Sequence, residues 1–305
     1  MINGSLEKML RRADYISLHY KIRFDEDFIL PAYALLRLRR ELSRVLKHNL
    51  DGDWSRSDLK NLLQPVLPTD PVLLRRIQQP APGFILRVDS LQPQKYVAGD
   101  LLVLNVCFFC QGMLLVEPFT RLLEALGPVG LCRKTGRFHL ESIAESSDQS
   151  VDRELWSGGV FSIAPTISDL CQHLEPFSRS SVKFEFMTPA RLLKKSRPLF
   201  RSGFDEIFPF VLRRVTGMLA AWADLEEVFD VDQLLKCAAA LVESDNRLHW
   251  QDWRPLQSHE EAGGLSGSVI LSGNELAELW PLLVIGELFG IGKGAAFGAG
   301  RYRLI

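Results

Sequence analysis

The chain has 305 residues, and its composition is that of a globular protein with a full core: 47% of the residues are hydrophobic and 24% are charged. A single core rarely grows past about 250 residues, so two domains are expected. The 36 Lys and Arg residues are balanced by 37 Asp and Glu residues, which excludes a uniformly basic nucleic-acid-binding protein. Positive charge for a polyanion would have to be concentrated in local patches.

The N-terminal residues alternate charged and apolar side chains and lack the apolar run of a secretory signal. No stretch reaches the roughly 18 apolar residues that cross a bilayer. The 5 cysteines are odd in number and unclustered, which favours a reducing compartment. We therefore expect a cytoplasmic protein with no membrane partner. Cys107 and Cys110 form a CxxC within an extended apolar run, where buried strand cysteines are expected instead of a zinc site.

The first half of the chain shows the strand and helix patterns of one domain. Residues 15–24 alternate apolar and polar side chains, as a strand does, and Pro31 opens a helical pattern that continues to His48. Further strands are predicted at 83–89, 100–109 and 136–143, with a helix at 118–127. The order β-α-β-β-α-β is that of a ferredoxin-like domain.

The second half repeats this order after a polar stretch at 144–154, which we take as the boundary. The predicted elements are a strand at 181–189, a helix at 205–226, strands at 248–255 and 264–273, a helix at 274–289 and a strand at 296–305. The predicted fold is α+β, with two tandem ferredoxin-like domains at 1–148 and 155–305. A single α+β domain with insertions would use the same elements and is the alternative.

A glycine-rich segment connects the last predicted helix to the last strand. Glycines reach positive φ and let a backbone approach closely, so this loop could present N–H groups to phosphates, with Lys293 adding a point charge. A P-loop is excluded, because Glu287 and Gly294 stand where GxxxxGK[ST] requires Gly and Ser or Thr. The alternative is a loop whose glycines only permit tight packing. The glycines are Gly286, Gly290, Gly292, Gly294, Gly298 and Gly300.

Three groups of basic residues stand out in this near-neutral chain. Each alone would suit a solvated surface, but their joint occurrence with the glycine-rich segment favours binding of a polyanion. The first group recurs at spacings of three and four on one face of the first helix, the second follows the strand at 181–189, and the third projects from one face of the last strand. The groups are Arg37, Arg40, Arg44 and Lys47; Arg191, Lys194, Lys195, Arg197 and Arg201; and Arg301 and Arg303.

His48 ends the basic helix, where an exposed imidazole could act as a general acid or base in phosphodiester transfer. A histidine that interacts with the helix dipole is an equal alternative on local grounds, and His19 is a rival candidate. The sequence contains no G-x-S-x-G or H-E-x-x-H motif and no carboxylate cluster of the metal-nuclease type. A nuclease built from these residues is expected to need neither a metal ion nor another cofactor.

The ending GIGKGAAFGAGRYRLI resembles the C-terminal glycine-rich signature of the sixth CRISPR-associated (Cas) protein family, the RAMP-superfamily endoribonucleases that mature precursor CRISPR RNA. GFILRVDSLQPQKYVAGDLLVLNVCFF, KFEFMTPARLLKKSRP and WQDWRP resemble other parts of that family in the same order. The likeness covers most of residues 83–305. It implies two ferredoxin-like (RRM-like, RAMP) domains, in agreement with the predicted elements.

The resemblance also implies a reaction, in which a ribose 2′-hydroxyl attacks the adjacent phosphate without a metal ion and leaves a 2′,3′-cyclic phosphate. Family members commonly draw a catalytic histidine from the first helix, which here matches His48, with Lys47 and Tyr33 as candidate helpers. The expected partner is CRISPR repeat RNA. The RNA-binding residues would be Arg37, Arg40, Arg44, Arg191, Lys194, Lys195, Gly290, Gly292, Lys293, Gly294, Gly298, Gly300, Arg301 and Arg303.

Two departures from the family pattern leave an alternative open. No Cys-rich insert follows the first helix, and Gly290 stands where relatives often have a histidine before the last Gly-Lys. The alternative is a catalytically inactive RAMP-type subunit that holds guide RNA among the other subunits of a CRISPR effector complex. A homodimer is also open, because Trp280 and Leu283 on the last helix would suit either a core or an interface.

Overall fold

The structure is a computed structural model that describes residues 10–48, 61–65, 80–145, 153–174, 177–225, 230–253 and 263–305. These residues form two compact units. One is Asp14–Ser168, and the other is Asp169–Ile305 with the described residues before Asp14. In the part of the chain that is described, no helix has both the length and the apolar character that crossing a membrane requires.

The first unit is built on a sheet with the strand order β3-β5-β1-β6-β7-β8, and β1 is antiparallel to both of its neighbours, β5 and β6. Its strands are β1 (Asp14–Phe24), β2 (Phe28–Leu30), β3 (Phe84–Arg87), β4 (Gln94–Tyr96), β5 (Leu101–Phe109), β6 (Phe138–Glu145), β7 (Arg153–Ser157) and β8 (Val160–Phe161), and β9 (Ser168–Asp169) lies at its end. Its helices are α1 (Leu38–His48) and α2 (Val116–Leu126). The order β3-β5-β1-β6 is the ferredoxin-like arrangement, as predicted.

The alternation of β1 determines which face of this sheet the helices cover. Every second residue is buried, and the residues between them are partly exposed on the other face. Tyr20 packs edge-on against Phe119 of α2, with ring centroids 5.2 Å apart, and its hydroxyl lies 3.3 Å from the Thr120 hydroxyl. Burying each such aromatic side chain contributes about 1.5–3 kcal/mol. One face of the sheet is therefore core, and the opposite face is polar.

The second unit repeats the arrangement with the strand order β13-β15-β10-β16, and β14 also pairs with β15. Its strands are β10 (Ser181–Ala190), β11 (Leu193–Lys194), β12 (Arg197–Pro198), β13 (Val242–Ser244), β14 (His249–Asp252), β15 (Gly263–Ser272) and β16 (Tyr302–Leu304). Its helices are α3 (Phe204–Trp222), α4 (Val231–Ala240) and α5 (Leu276–Phe289). The second-strand position of the ferredoxin-like order is thus divided between β13 and β14. The predicted α+β fold with two ferredoxin-like units is confirmed.

Several boundaries differ from the prediction. The strands β7 and β8 extend the first sheet, so that sheet continues past residue 155, where the second domain was expected to start. Leu155 and Trp156 are buried there, but polar residues surround them in the sequence, so no strand was predicted at this position. Helix α4 was not predicted, although Asp230 caps it by accepting a hydrogen bond from the Gln233 N–H at 3.0 Å. The last strand is shorter than expected, because residues 295–297 form a 3-10 turn.

Three side chains left open by the sequence have defined positions. Trp280 and Leu283 are both buried within the chain, at 8% and 0% exposure. They therefore belong to the core of the second unit and do not form an exposed interface. Cys107 is buried in β5, as predicted, whereas Cys110 lies just beyond the strand and is half-buried.

Candidate nucleic-acid interface

The predicted basic face of α1 is present in the structure. Leu38, Leu42 and Val45 are buried, so they anchor the helix on the sheet. On the outer side, Arg40 and Lys47 are exposed, and Arg44 is half-buried. Arg37, also half-buried, belongs to the 3-10 turn Leu35–Arg37 that leads into the helix. The helix thus separates an apolar stripe from a basic one, as its spacing predicted.

A buried carboxylate connects this helix to a second basic element. Glu41 is 6% exposed, and its carboxylate accepts hydrogen bonds from the Arg44 guanidinium at 2.6 Å and from the backbone N–H of Arg133 at 3.4 Å. Burial raises the pKa of the nearby Cys132 thiol, and the Glu41 charge raises it further, whereas Arg133, Arg37 and Arg44 lower it. All three arginines therefore lie near the Cys132 thiol.

Arg133 and Lys134 form the tip of a tight turn. Cys132 and Thr135 exchange backbone hydrogen bonds of 3.1 and 3.0 Å on either side of it. Arg133 and Lys134 have φ values of 52° and 68°, a left-handed conformation that residues with a Cβ rarely adopt. Both side chains are exposed. We call Arg37, Arg44, Arg133 and Lys134 the α1 basic cluster; its last two members were missed in the sequence, where RKT between a helix and a strand resembles any solvated loop.

The three predicted catalytic residues lie near α1 along the chain. His48 is the last residue of the helix, and its side chain is outside the described part of the structure. Lys47 is exposed beside it. Tyr33 precedes the 3-10 turn with a left-handed φ of 59°, and its backbone N–H donates to the Leu91 carbonyl at 3.1 Å. Lys47 and His48 thus stand at the C-terminal end of α1, whereas Tyr33 lies before its N-terminal end, and the roles of all three remain proposals.

The rival histidine, His19, lies elsewhere. It sits on β1 opposite Asn105 of β5 and Ala144 of β6. Its neighbour Tyr20 is buried and packs on α2, so His19 is on the polar face of the sheet, away from the helices. The sheet separates His19 from α1, which weakens its claim to act with Lys47 or Tyr33.

In the second unit, the glycine-rich loop follows α5 and is shaped by close backbone contacts. Gly292 has a φ of 86°, and a Cβ there would lie 2.6 Å from the Arg191 carbonyl oxygen. A Cβ at Gly300, whose φ is 65°, would collide with the Ile291 carbonyl oxygen. Gly290, Gly294 and Gly298 also have positive φ. Only glycine meets both requirements at Gly292 and Gly300, so the composition of this segment follows from its path.

Thr188 and Pro189, at the end of β10, hold this loop in place. The buried Thr188 hydroxyl donates to the Gly298 carbonyl at 2.6 Å and accepts a hydrogen bond from the Arg301 N–H at 2.9 Å. The Pro189 carbonyl accepts from the Gly300 N–H at 3.0 Å. These bonds explain physically why a Thr-Pro strand end accompanies the glycine-rich signature.

The end of α5, from which the loop departs, is also fixed. The Tyr302 hydroxyl donates to the Leu283 carbonyl at 2.6 Å, in space that exists because Gly286 has no side chain. Arg214 of α3 donates to the Phe289 carbonyl at 3.3 and 3.4 Å. Burial lowers the pKa of Arg214 to about 10, but a cation at a helix C-terminus is favoured by the helix dipole.

The loop differs in one respect from the sequence-based expectation. The backbone N–H groups of Gly290, Ile291, Phe297, Gly298 and Gly300 donate to carbonyls within the protein, as does that of Lys293 to Arg191. These groups cannot also serve phosphates. The outward features of the loop are Lys293 and Gly294, both exposed. The glycines therefore shape the loop mainly by packing, and the Lys293 side chain supplies its charge.

The second basic group lies next to this loop. The strands β11 and β12 form a hairpin in which Lys194 is opposite Arg197, and its turn residues Lys195 and Ser196 have φ values of 49° and 65°. Arg191, half-buried at the root of the hairpin, contacts Gly292 and accepts the Lys293 N–H at 2.9 Å through its carbonyl. The structure thus brings the hairpin and the glycine-rich loop together.

The basic side chains of the second unit differ in how readily they could contact a ligand. Lys194 pairs with Glu206 at 2.8 Å, and Arg303 pairs with Glu185 at 2.6 Å on the polar face of the sheet. Hydrogen bonds from Lys183 and Arg303 hold the pKa of Glu185 below its usual value. Within the described residues, Lys195, Arg197, Arg201 and Lys293 are exposed and make no ion pair. Arg301 is half-buried beside the loop.

Comparisons with known proteins agree with this arrangement. The family model of the CRISPR-associated endoribonuclease Cas6 matches residues 184–302, which include β10, the hairpin and the glycine-rich loop. A second family model, described only as an N-terminal domain, matches residues 11–167. A search of curated proteins by sequence found no match.

Three solved structures illustrate the likeness of fold. Thermus thermophilus Cas6 is 13% identical, with a TM-score of 0.52 over 96% of this chain and 99% of that one. A Cas6 product complex is 13% identical, with a TM-score of 0.54 over 95% of this chain and 99% of the other. A partial Cas6-RT-Cas1–Cas2 complex is 14% identical, with a TM-score of 0.57 over 96% of this chain and 46% of the other. At such low identity these likenesses show the fold alone.

Proposed function

Because this chain belongs to the Cas6 family of CRISPR-associated endoribonucleases, we propose that it cuts precursor CRISPR RNA within the repeats to release guide RNAs. The observation that carries the proposal is the coincidence of the Cas6 family match with the loop that Thr188 and Pro189 hold against β10. That match also includes the exposed cations Lys195, Arg197, Arg201 and Lys293. A near-neutral protein with such local patches suits a polyanionic substrate.

In this proposal the second unit binds the repeat. Lys293 and the β11–β12 hairpin contact phosphates as point charges, and Arg191 and Arg301 support them from the half-buried layer behind. Arg303 and Lys194 contribute less in the free protein, because each already has a carboxylate partner. RNA recognition of this kind combines phosphate contacts with readout of shape or unpaired bases.

The first unit supplies the chemistry. The 2′-hydroxyl of one nucleotide attacks the adjacent phosphorus, the bond to the 5′-oxygen of the next nucleotide breaks, and the products carry a 2′,3′-cyclic phosphate and a 5′-hydroxyl. His48 moves a proton, either from the nucleophile or to the leaving oxygen. Lys47 and the α1 basic cluster stabilise charge on the phosphate, and Tyr33 orients the reacting groups. The reaction as written needs no metal ion.

The proposed partners are CRISPR repeat RNA and other CRISPR proteins. A structural neighbour is part of a Cas6-RT-Cas1–Cas2 complex, and we propose that this chain can likewise act beside other CRISPR proteins, such as effector subunits. A catalytically inactive subunit that only holds guide RNA is the competing function, and the following experiment separates it from the enzyme.

The experiment incubates the full chain with a transcribed CRISPR repeat RNA in excess EDTA and compares it with His48→Ala. We expect one defined cut, slowed about 100- to 10,000-fold by His48→Ala while RNA binding persists. His139→Ala is the matched control, since His139 is an exposed histidine of the same unit that bonds Asp25 at 2.7 Å and lies on β6. A product end that resists dephosphorylation until the cyclic ester is opened would identify the 2′-hydroxyl route.

Two results would contradict the proposal. A native chain that binds the repeat without cutting it would be the inactive subunit. A cut that appears only when a divalent metal ion is supplied would exclude the metal-independent route and leave the family assignment intact.

A further inference from the structure

Phe200 and Trp250 form an aromatic pair on the surface of the second unit. Their ring centroids are 4.7 Å apart, with an angle of 53° between the ring planes. Phe200 directly follows the β11–β12 hairpin, whereas Trp250 lies on β14, so only the fold brings them together. Phe200 nevertheless leaves 55% of its surface exposed. A large aromatic face is therefore held in contact with solvent.

Trp250 is fixed independently of any ligand. A Cβ at Gly263 would lie 2.6 Å from the indole ring, which shows that the ring lies directly against the backbone of β15. The indole N–H donates to the Asp252 carboxylate at 2.9 Å. With one side on Gly263 and its polar atom bonded, the indole is a rigid support for Phe200. A preorganised aromatic surface loses little conformational entropy when it binds.

Exposed cations lie close to Phe200 along the chain. Arg201 is next to Phe200 in the chain, and Lys195 and Arg197 belong to the hairpin that leads to it. Among the described residues none of these three makes an ion pair, whereas Lys194 is neutralised by Glu206. The Asp252 carboxylate already accepts a hydrogen bond from the indole N–H of Trp250. An exposed aromatic face with unpaired cations close by in the chain offers the two features that bind a nucleotide: a ring on which a base stacks, and positive charge for the phosphates.

We propose that Phe200, supported by Trp250, stacks on an unpaired base of the RNA, while Lys195, Arg197 and Arg201 contact the neighbouring phosphates. The inference rests on the proposed function in taking the repeat RNA as the ligand. A base inside a duplex is covered on both faces by its neighbours, so a surface ring of this kind selects a single-stranded nucleotide. The pair would thereby hold an unpaired part of the repeat beside the glycine-rich loop.

The test measures binding of the full chain to repeat RNAs that carry 2-aminopurine at successive unpaired positions. Stacking on Phe200 quenches the fluorescence at one of them, and Phe200→Ala abolishes the quenching and weakens binding about 5- to 150-fold. Phe200→Tyr restores both. Lys195→Ala lowers the slope of log Kd against log salt by about one, whereas Phe200→Ala leaves the slope unchanged, because it removes no charge.

Phe161→Ala is the matched control, since Phe161 is an exposed aromatic residue of the other unit, at 37% exposure. Thermal unfolding of each variant verifies that it is folded. Equal affinity of Phe200→Ala and the native chain, with no quenched position, would overturn the inference. Cleavage is followed in the same samples. If Phe200→Ala binds and cuts the RNA as the native chain does, only the stacking proposal is refuted. If binding depends on Phe200 but the native chain makes no cut, only the nuclease proposal is refuted.

Discussion

The two basic turns of the molecule have the same backbone conformation and different surroundings. Arg133–Lys134 in the first unit and Lys195–Ser196 in the second each place two residues with a Cβ in the left-handed region, where Asn-Gly is usual. The first turn is bonded to the buried Glu41 of α1, the helix that ends with the proposed catalytic residues Lys47 and His48. The second is the tip of a hairpin that Arg191, in contact with Gly292 of the glycine-rich loop, precedes in the chain and that Phe200 of the aromatic pair follows. One turn geometry thus occurs in two different surroundings, and the roles we propose for the two turns differ accordingly: phosphate activation for the first and RNA binding for the second.

The largest expected effect separates these roles. Arg133→Ala with Lys134→Ala should slow single-turnover cleavage about 100-fold at saturating protein, because it removes charge from the proposed catalytic site. Lys195→Ala with Arg197→Ala should mainly raise Kd and lower the salt slope by about two. Rapid-quench cleavage and filter binding measure the two quantities. If both double variants lost cleavage rate and RNA affinity to the same extent, the two turns would not have the different roles that we propose.

The next effect tests what holds the glycine-rich loop that lies beside the hairpin of the second turn. Thr188→Val removes the hydroxyl that bonds Gly298 and Arg301, and leaving these buried groups unpaired should cost about 2 kcal/mol of unfolding free energy. Thr216→Val is the control, because that hydroxyl bonds the Leu212 carbonyl on a half-buried part of α3. Urea unfolding compares the variants. Identical costs for both substitutions would mean that Thr188 does not clamp the loop.

A smaller effect compares the ion pairs beside the turns. Glu41→Gln should cost about 1 kcal/mol, since the Glu41 side chain is 8% exposed and faces both Arg44 and the Arg133 N–H. Glu206→Gln should change stability by less than about 0.5 kcal/mol, since its partner Lys194 is 59% exposed. Thermal unfolding at low and high salt measures both. A cost for Glu206→Gln that matches Glu41→Gln would contradict the assignment of the first turn as the more tightly held.

The smallest effect concerns backbone strain. Ser196→Gly should stabilise the chain by about 0.5–1 kcal/mol, because glycine adopts a φ of 65° without the penalty that a Cβ incurs. Gly217→Ala in α3 is the control, because it makes the reverse kind of change, adding a Cβ where nothing lies within 4 Å of it. It should stabilise the chain through the higher helix propensity of alanine. Destabilisation by Ser196→Gly in urea unfolding would show that the serine side chain, and not its conformation, matters at the tip.

Much of the fold was predictable, because the spacing of apolar residues along the sequence indicates the strands and helices. The alternation of β1 and the apolar spacing of α1 are local features, and the element order alone suggests the ferredoxin-like pairing. The extension of the first sheet by β7 was hidden, because only Leu155 and Trp156 are buried in a polar segment. Such strands owe their existence to the neighbouring strand β6, which no local pattern reveals.

The candidate site was likewise predictable from the sequence only in part. The cations of α1 follow from spacing, and the glycines of the loop from composition. The contact between Arg133 and Glu41 and the packing of Phe200 on Trp250 join residues separated by 92 and 50 positions, respectively. No spacing rule links such pairs. The inward direction of the loop N–H groups was likewise unpredictable, since it depends on carbonyls supplied by Pro189 and Arg191.

The position of β16 has a consequence for the order in which the molecule folds. This strand lies at residues 302–304 but pairs with β10 at residues 184–186, so the pairing closes a very long stretch of chain. Non-local pairings form slowly, because the entropy of loop closure opposes them until the contacts are complete. The glycine-rich loop acquires its Thr188 and Pro189 contacts only when that strand docks. RNA-binding competence in the second unit should therefore appear late in refolding, after most of its helical structure has formed.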